Sequence, residues 1–162
     1  MKQTEFDPNL CRSEFELEQF FPYKVRVFYA DVTRALSAVY QRDFDLSPAE
    51  WRTMAILGAA TTGLHATEIV ARSSMDKVMV SRTVKRMEKR GLLTREANAA
   101  DGRSFLLKLS QEGLAAYNDL APKLLAVEQK MLAGLDETEL QALLDTMQKI
   151  RLNIEDGASA DS

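Results

Sequence analysis

The chain has 162 residues, 46% hydrophobic and 28% charged, with a formal net charge of −3. That suffices for one folded core with helical extensions, and no apolar run approaches the roughly 20 residues of a membrane-spanning helix. With one cysteine (Cys11) and one histidine (His65), neither an internal disulfide, a metal-ligand cluster nor a nucleophile–base pair emerges, so no catalytic residue, metal or cofactor is expected.

In chain order, Tyr23 to Arg42 carries Val25, Phe28, Val32, Leu36 and Val39 at helical spacing. Ser47-Pro48-Ala49-Glu50 is a capping box with proline at the first helical position, opening a helix that ends near Gly58. Thr61-Thr62-Gly63 reads as a loop, Ala66 to Arg72 as a short helix, and Ser73-Ser74-Met75 as a tight turn. Asp76 to Arg90 is a basic amphipathic helix stopped by Gly91. Leu92–Glu96 and Arg103–Leu109 are predicted strands joined by an Asp101-Gly102 turn. A helix runs from Ser110 to about Leu132, with a kink or break expected at Pro122. Asp136 opens a last helix bearing Leu140, Leu143, Leu144, Met147 and Ile150.

The expected fold is mainly α with a small β-hairpin wing. Residues 1–45 are an N-terminal arm and dimerisation helix, and 46–110 a winged helix-turn-helix domain. Residues 111–155 form C-terminal dimerisation helices, and 156–162 a small, acidic, disordered tail. The winged core closes by itself, so the stripes Val25–Val39 and Leu140–Ile154 are expected to meet a second chain. The N-terminus lacks the apolar region of a signal peptide, and a reducing cytoplasm is the expected compartment.

Between Asp76 and Arg103 stand eight Lys/Arg and four Asp/Glu, a local balance of +4 on a chain of −3. A basic element on an acidic body is a footprint of nucleic-acid binding on one face. At about 100° per residue, Val80, Thr83, Val84 and Met87 face inward. Val78, Arg82, Lys85 and Lys89 face outward, flanked by Met79, Ser81 and Arg86. Together with Lys77, these outward residues are the candidate DNA contacts. On the wing, Arg95 and Arg103 join them, with Asp101 expected to orient one of the two arginines. Arg103, beside the wing tip, suits an adjacent minor groove.

The stretch from Met75 to Gly113 resembles the recognition helix and wing of MarR-type regulators. The matching residues are Asp76-Lys77, Val80-Ser81-Arg82, Glu88-Lys89-Arg90-Gly91-Leu92, Asp101-Gly102-Arg103 and Leu109-Ser110-Gln111-Glu112-Gly113. Leu46-Ser47-Pro48-Ala49-Glu50-Trp51 looks like the same family's helix opening, and the resemblance spans about residues 21–154. One departure stands out: many relatives carry Ser-Thr where this chain has Val78-Met79. The resemblance implies a homodimer on a pseudo-palindromic operator in double-stranded DNA, repressing until a small aromatic or acidic effector, free acid or thioester, binds. It also implies an effector pocket among the first, second and fifth helices, for which Tyr23, Arg26, Tyr29, Arg34 and Trp51 are the candidates. Cys11 lies about 12 residues before the position of the peroxide-sensing cysteine found in one branch of that family and reads as incidental. The alternative is a winged-helix module for protein–protein assembly without sequence-specific DNA binding. Salt-dependent binding to duplex DNA separates the two.

Overall fold

The computed structural model describes residues 15–98 and 101–160. After a single 3-10 turn at Leu17–Gln19, the described residues form six α-helices and one two-stranded hairpin. In order these are α1 (Phe21–Phe44), α2 (Pro48–Gly58), α3 (Ala66–Ser73), α4 (Lys77–Lys89), β1 (Leu93–Asn98), β2 (Asp101–Leu109), α5 (Gln111–Met131) and α6 (Glu137–Ala160). The expected mainly helical class with a hairpin wing is the class observed. No described helix is long and apolar enough to cross a membrane. The chain divides into two compact units, one ending at Ala121 and the other starting at Pro122.

In the first unit the core is a three-helix cluster. Met54 and Leu57 of α2, Ile69 of α3 and Val80, Val84 and Met87 of α4 are buried together with Leu46 and Leu64. The ends of these helices follow from local chemistry. Ser47 and Glu50 cap α2 reciprocally, Ser47 Oγ accepting the Glu50 N–H and the Glu50 carboxylate accepting the Ser47 N–H at 2.9 Å. Ser74 ends α3 in the left-handed region at φ 53°, and Ser73 Oγ accepts the Met75 N–H to close the turn. Asp76 Oδ1 accepts the Met79 N–H at 2.7 Å and so starts α4. Gly91, at φ 71°, turns the chain out of α4, and the Leu92 N–H returns to the Met87 carbonyl.

The hairpin pairs antiparallel from Leu93↔Leu109 to Ala97↔Phe105, then shifts register so that Asn98 faces Asp101. Asp101 and Gly102 therefore belong to β2 and do not form the expected turn; the connection falls at residues 99–100, outside the described residues. Residues 102–104 are taken up opposite the single step from Ala97 to Asn98, which moves the turn toward the N-terminus. Leu64, just after the segment read as a loop, adds a one-residue bridge to the other edge of β2: its N–H donates to the Leu107 carbonyl at 3.0 Å and its carbonyl accepts the Leu107 N–H at 2.8 Å.

The base of the hairpin is closed tightly. The Ser110 N–H reaches the Leu92 carbonyl, Ser110 Oγ donates to the Gly91 carbonyl, and the Gly113 N–H donates back to Ser110 Oγ at 2.9 Å. A Cβ on Gly113 would stand 2.0 Å from the Leu92 carbonyl oxygen, so no side chain fits there.

Of the kink or break expected at Pro122, the break does not occur: α5 continues through it to Met131. Gly134, at φ 93°, leads to α6, which Asp136 and Glu139 cap by exchanging backbone N–H bonds at 2.8 and 2.9 Å. The expected disordered tail is helical to Ala160, and residues 161–162 lie outside the described residues. Extending an existing helix costs far less than starting one, and Arg151 pairs with Glu155 one turn on at 3.4 Å.

Among the described residues, two buried hydroxyls, Thr53 of α2 and Thr83 of α4, have no hydrogen-bond partner. Thr53→Val replaces such a hydroxyl with a methyl of the same shape. It should leave stability unchanged or raise it by about 1 kcal/mol. Gly113→Ala should cost more than about 2 kcal/mol by forcing a methyl into backbone. Urea-unfolding midpoints at pH 7 check both.

Candidate nucleic-acid interface

The two faces of α4 separate as its periodicity requires. Val80, Thr83, Val84 and Met87 are buried, while Lys77, Val78, Met79, Ser81, Arg82, Lys85, Arg86 and Lys89 are all exposed. All eight sequence-predicted residues of this helix thus share one solvent-facing surface.

Its cations are not equivalent. Among the described residues Lys77, Arg82, Lys85 and Lys89 form no ion pair with an acidic group, whereas Arg86 and Arg90 turn back to α2. There they meet Glu50, whose side chain is only 6% exposed: Arg90 Nη1 lies 3.5 Å and Arg86 Nε 3.9 Å from its Oε1. The other carboxylate oxygen accepts Ser47 Oγ at 2.7 Å and the Ser47 N–H at 2.9 Å. Arg90 also donates to the Asp45 carbonyl at 2.7 Å and the Phe44 carbonyl at 3.0 Å. These last bonds tie the end of α4 to the end of α1, where Asp45 holds the left-handed conformation at φ 51°. Burial pushes the Glu50 carboxyl upward. The Ser47 bonds and the two guanidinium charges outweigh it, so the group titrates below the ordinary glutamate range.

On the wing, Arg95 forks onto Glu88 of α4, with Nη2 to Oε2 at 2.8 Å and Nε to Oε1 at 2.5 Å. Arg95, one of the two arginines expected to be oriented by Asp101, is thus held by Glu88 of α4. Asp101 and Arg103 lie on β2, and their side chains are outside the described residues.

The effector candidates are not gathered in the same way. Arg26, Tyr29 and Arg34 stand exposed along α1, Arg34 paired with Asp31 at 3.0 Å, and Tyr23 borders a shallow hollow with Lys24, Val27 and Phe28. Trp51 has a different partner, Tyr117 of α5, with near-parallel rings (19°) and centroids 6.4 Å apart. The Tyr117 ring rests on Gly58, where a Cβ would meet it at 2.7 Å. Trp51 and Gly58 are seven residues apart and share one face of α2, a spacing that marks the face but not the ring that covers it.

Comparison with known proteins agrees with this geometry. Residues 44–104 match the model of the MarR family. A MarR/EmrR family transcriptional regulator from Acinetobacter sp. ADP1 superposes with a TM-score of 0.77 at 21% identity, over 88% of this chain and 99% of that one. MepR of S. aureus, solved as a complex with DNA, gives 0.76 at 20% identity, over 86% and 99%. BpsR of Bordetella bronchiseptica, whose DNA binding is regulated by 6-hydroxynicotinic acid, gives 0.75 at 19% identity, over 86% and 98%.

The Glu50 pair generates a pH prediction. A carboxyl depressed in the folded state adds stability above its unfolded value, near 4.3, and loses it as pH falls through the lower folded value. Glu50→Gln mimics the neutral form, so it should cost about 1–3 kcal/mol at pH 7. The gap to the parent chain should close as pH drops below about 4. Urea midpoints measured from pH 7 to pH 3 check this.

Proposed function

We propose that this chain, a winged helix-turn-helix protein of the MarR type, works as a homodimer that binds a pseudo-palindromic operator and represses transcription until a small effector releases it. One observation carries the reading: the outward face of α4 presents Lys77, Arg82, Lys85 and Lys89 without acidic partners among the described residues, on a chain of net charge −3. Cations left unneutralised on one helix, within an otherwise acidic protein, suit a major groove lined by phosphates. Arg82, near the middle of that face, is the residue assigned to a guanine edge. Lys85 and Lys89 are assigned to phosphate. Arg103, on β2, is assigned to the adjacent minor groove.

Pairing is supported by apolar surface on each unit taken separately. Val25 and Phe28 of α1 are exposed in the first unit, and Leu143, Leu144, Met147, Leu152 and Ile154 of α6 in the second. Contiguous apolar faces of this kind mark association surfaces. A second copy would cover them and hold two α4 helices about 34–36 Å, or a multiple of that, apart on DNA. For the effector, the Trp51–Tyr117 pair offers a planar aromatic wall suited to an aromatic acid, the chemical class named for the Bordetella relative.

Arg82→Ala should cost about 1–3 kcal/mol and relax preference at one operator position. Lys89→Ala should weaken all duplexes alike and lower the salt slope by about one. Equal binding of specific and random duplexes by Arg82→Ala would overturn the assignment of α4. In sedimentation the parent protein should run at twice the 18.2 kDa of one chain, and Leu144→Glu should shift it to monomer and abolish operator binding. Because Trp51 is the sole tryptophan, its fluorescence reports directly whether aromatic carboxylates bind beside it. A titration that leaves that emission unchanged rules the site out.

A further inference from the structure

Among the apolar residues of α4, two are left in water. Val78 is 59% and Met79 43% exposed, whereas Val80, Val84 and Met87 are 3% exposed or less. Met79 has a partial explanation within the fold, since it borders a hollow formed by Pro48, Ala49 and Arg52 of α2 with Ser74 and Met75. Val78 has none. Burial does not stabilise it, and a β-branched residue on an exposed helical surface is disfavoured relative to alanine, lysine or glutamate by restricted χ1 freedom. Among the described residues, none accounts for a valine at this position.

Its neighbours say what would. At 100° per residue Val78 lies within about 40° of Arg82, Lys85 and Lys89, the exposed cations that meet no acid. Apolar surface in the middle of a cationic stripe is complementary to a polyanion that carries an apolar group in its groove. Duplex DNA has one such group in the major groove, the C5-methyl of thymine. The stiffness that makes valine a poor helix residue is an advantage here, because its two methyls are held in one rotamer before contact.

We propose that Val78 reads a thymine C5-methyl and gives this protein a thymine preference at one operator step. The inference rests on the reading of α4 as the DNA-facing helix. Val78 and Arg82 are one turn apart, about 6 Å along the helix axis. Residues about one turn apart on a helix in the major groove meet neighbouring bases, so the thymine falls about one to two base pairs from the base that Arg82 contacts.

The test begins by selecting duplexes from a randomised pool with the full chain. Each thymine of the selected operator is then replaced in turn by deoxyuridine, which removes only the methyl. Loss of one buried methyl group should weaken binding about fourfold at a single thymine per half-site. Val78→Ala should bind the thymine and deoxyuridine duplexes equally, while its circular dichroism and oligomeric state match the parent. If deoxyuridine weakens binding of Val78→Ala as much as of the parent, another side chain reads the methyl and the proposal falls. The proposal also falls if no deoxyuridine replacement matters while the selected duplex still binds far tighter than random DNA. That second outcome leaves α4 as the reading helix. Failure to select any sequence would instead remove both this inference and the functional reading beneath it.

Discussion

The arrangement of the first unit depends on one buried carboxylate. Glu50 sits in the first turn of α2 and takes up Ser47 with one oxygen and Arg86 and Arg90 with the other. A lone carboxylate at that depth would be costly, and two guanidinium groups with two Ser47 bonds offset the desolvation. The geometric result matters more than the energy. The capping box fixes where α2 begins, the arginines come from the last turns of α4, and Arg90 continues to the carbonyls that end α1. Three helix ends are therefore referred to a single point. The exposed face of α4 inherits its direction from that point, since Val80, Val84 and Met87 fix its roll and Glu50 fixes its C-terminal end.

The same network divides the basic charge of the helix into two classes. Arg86 and Arg90 pair with Glu50 of α2, and Arg95 pairs with Glu88, so the charge of these three is met within the fold. Among the described residues, Lys77, Arg82, Lys85 and Lys89 meet no acidic group. An excess of +4 counted along the sequence thus overstates the cations available at the surface by mixing both classes. On the proposed reading, the salt dependence of DNA binding reflects the second class, and mutations in the first act through stability or orientation.

Features set by local chemistry were legible in the sequence. The Asp76 cap, the Gly91 stop and the inward row Val80, Thr83, Val84 and Met87 stand where short-range rules put them, because a helix end or a helix face is decided within a few residues. Features set by distant pairing were not. Arg86 lies on the flank of the outward face by angle alone, and only Glu50, 36 positions earlier, draws it back. Asp101-Gly102 carries turn chemistry, yet the register shift beside Asn98 takes both residues into β2. Tyr117 could not be matched to Trp51 from spacing, although Gly58 on the same face of α2 marks where a ring fits. The end of α6 was misread because small and acidic residues suggest disorder, whereas an established helix carries through them.

The closed base of the hairpin has a consequence for how such a protein diversifies. The Ser110 backbone and hydroxyl join Leu92 and Gly113 across the root of the β-ribbon, and Gly113 leaves no room there for a side chain. Beyond this collar the ribbon is held again by the Leu64–Leu107 bridge and the Arg95–Glu88 pair. Length, charge and composition at the ribbon's tip are insulated from the helices on either side, much as an antibody loop is insulated from its framework. On the proposed reading, substitutions toward that end alter contacts with DNA while the collar and the helix cluster behind it keep their arrangement.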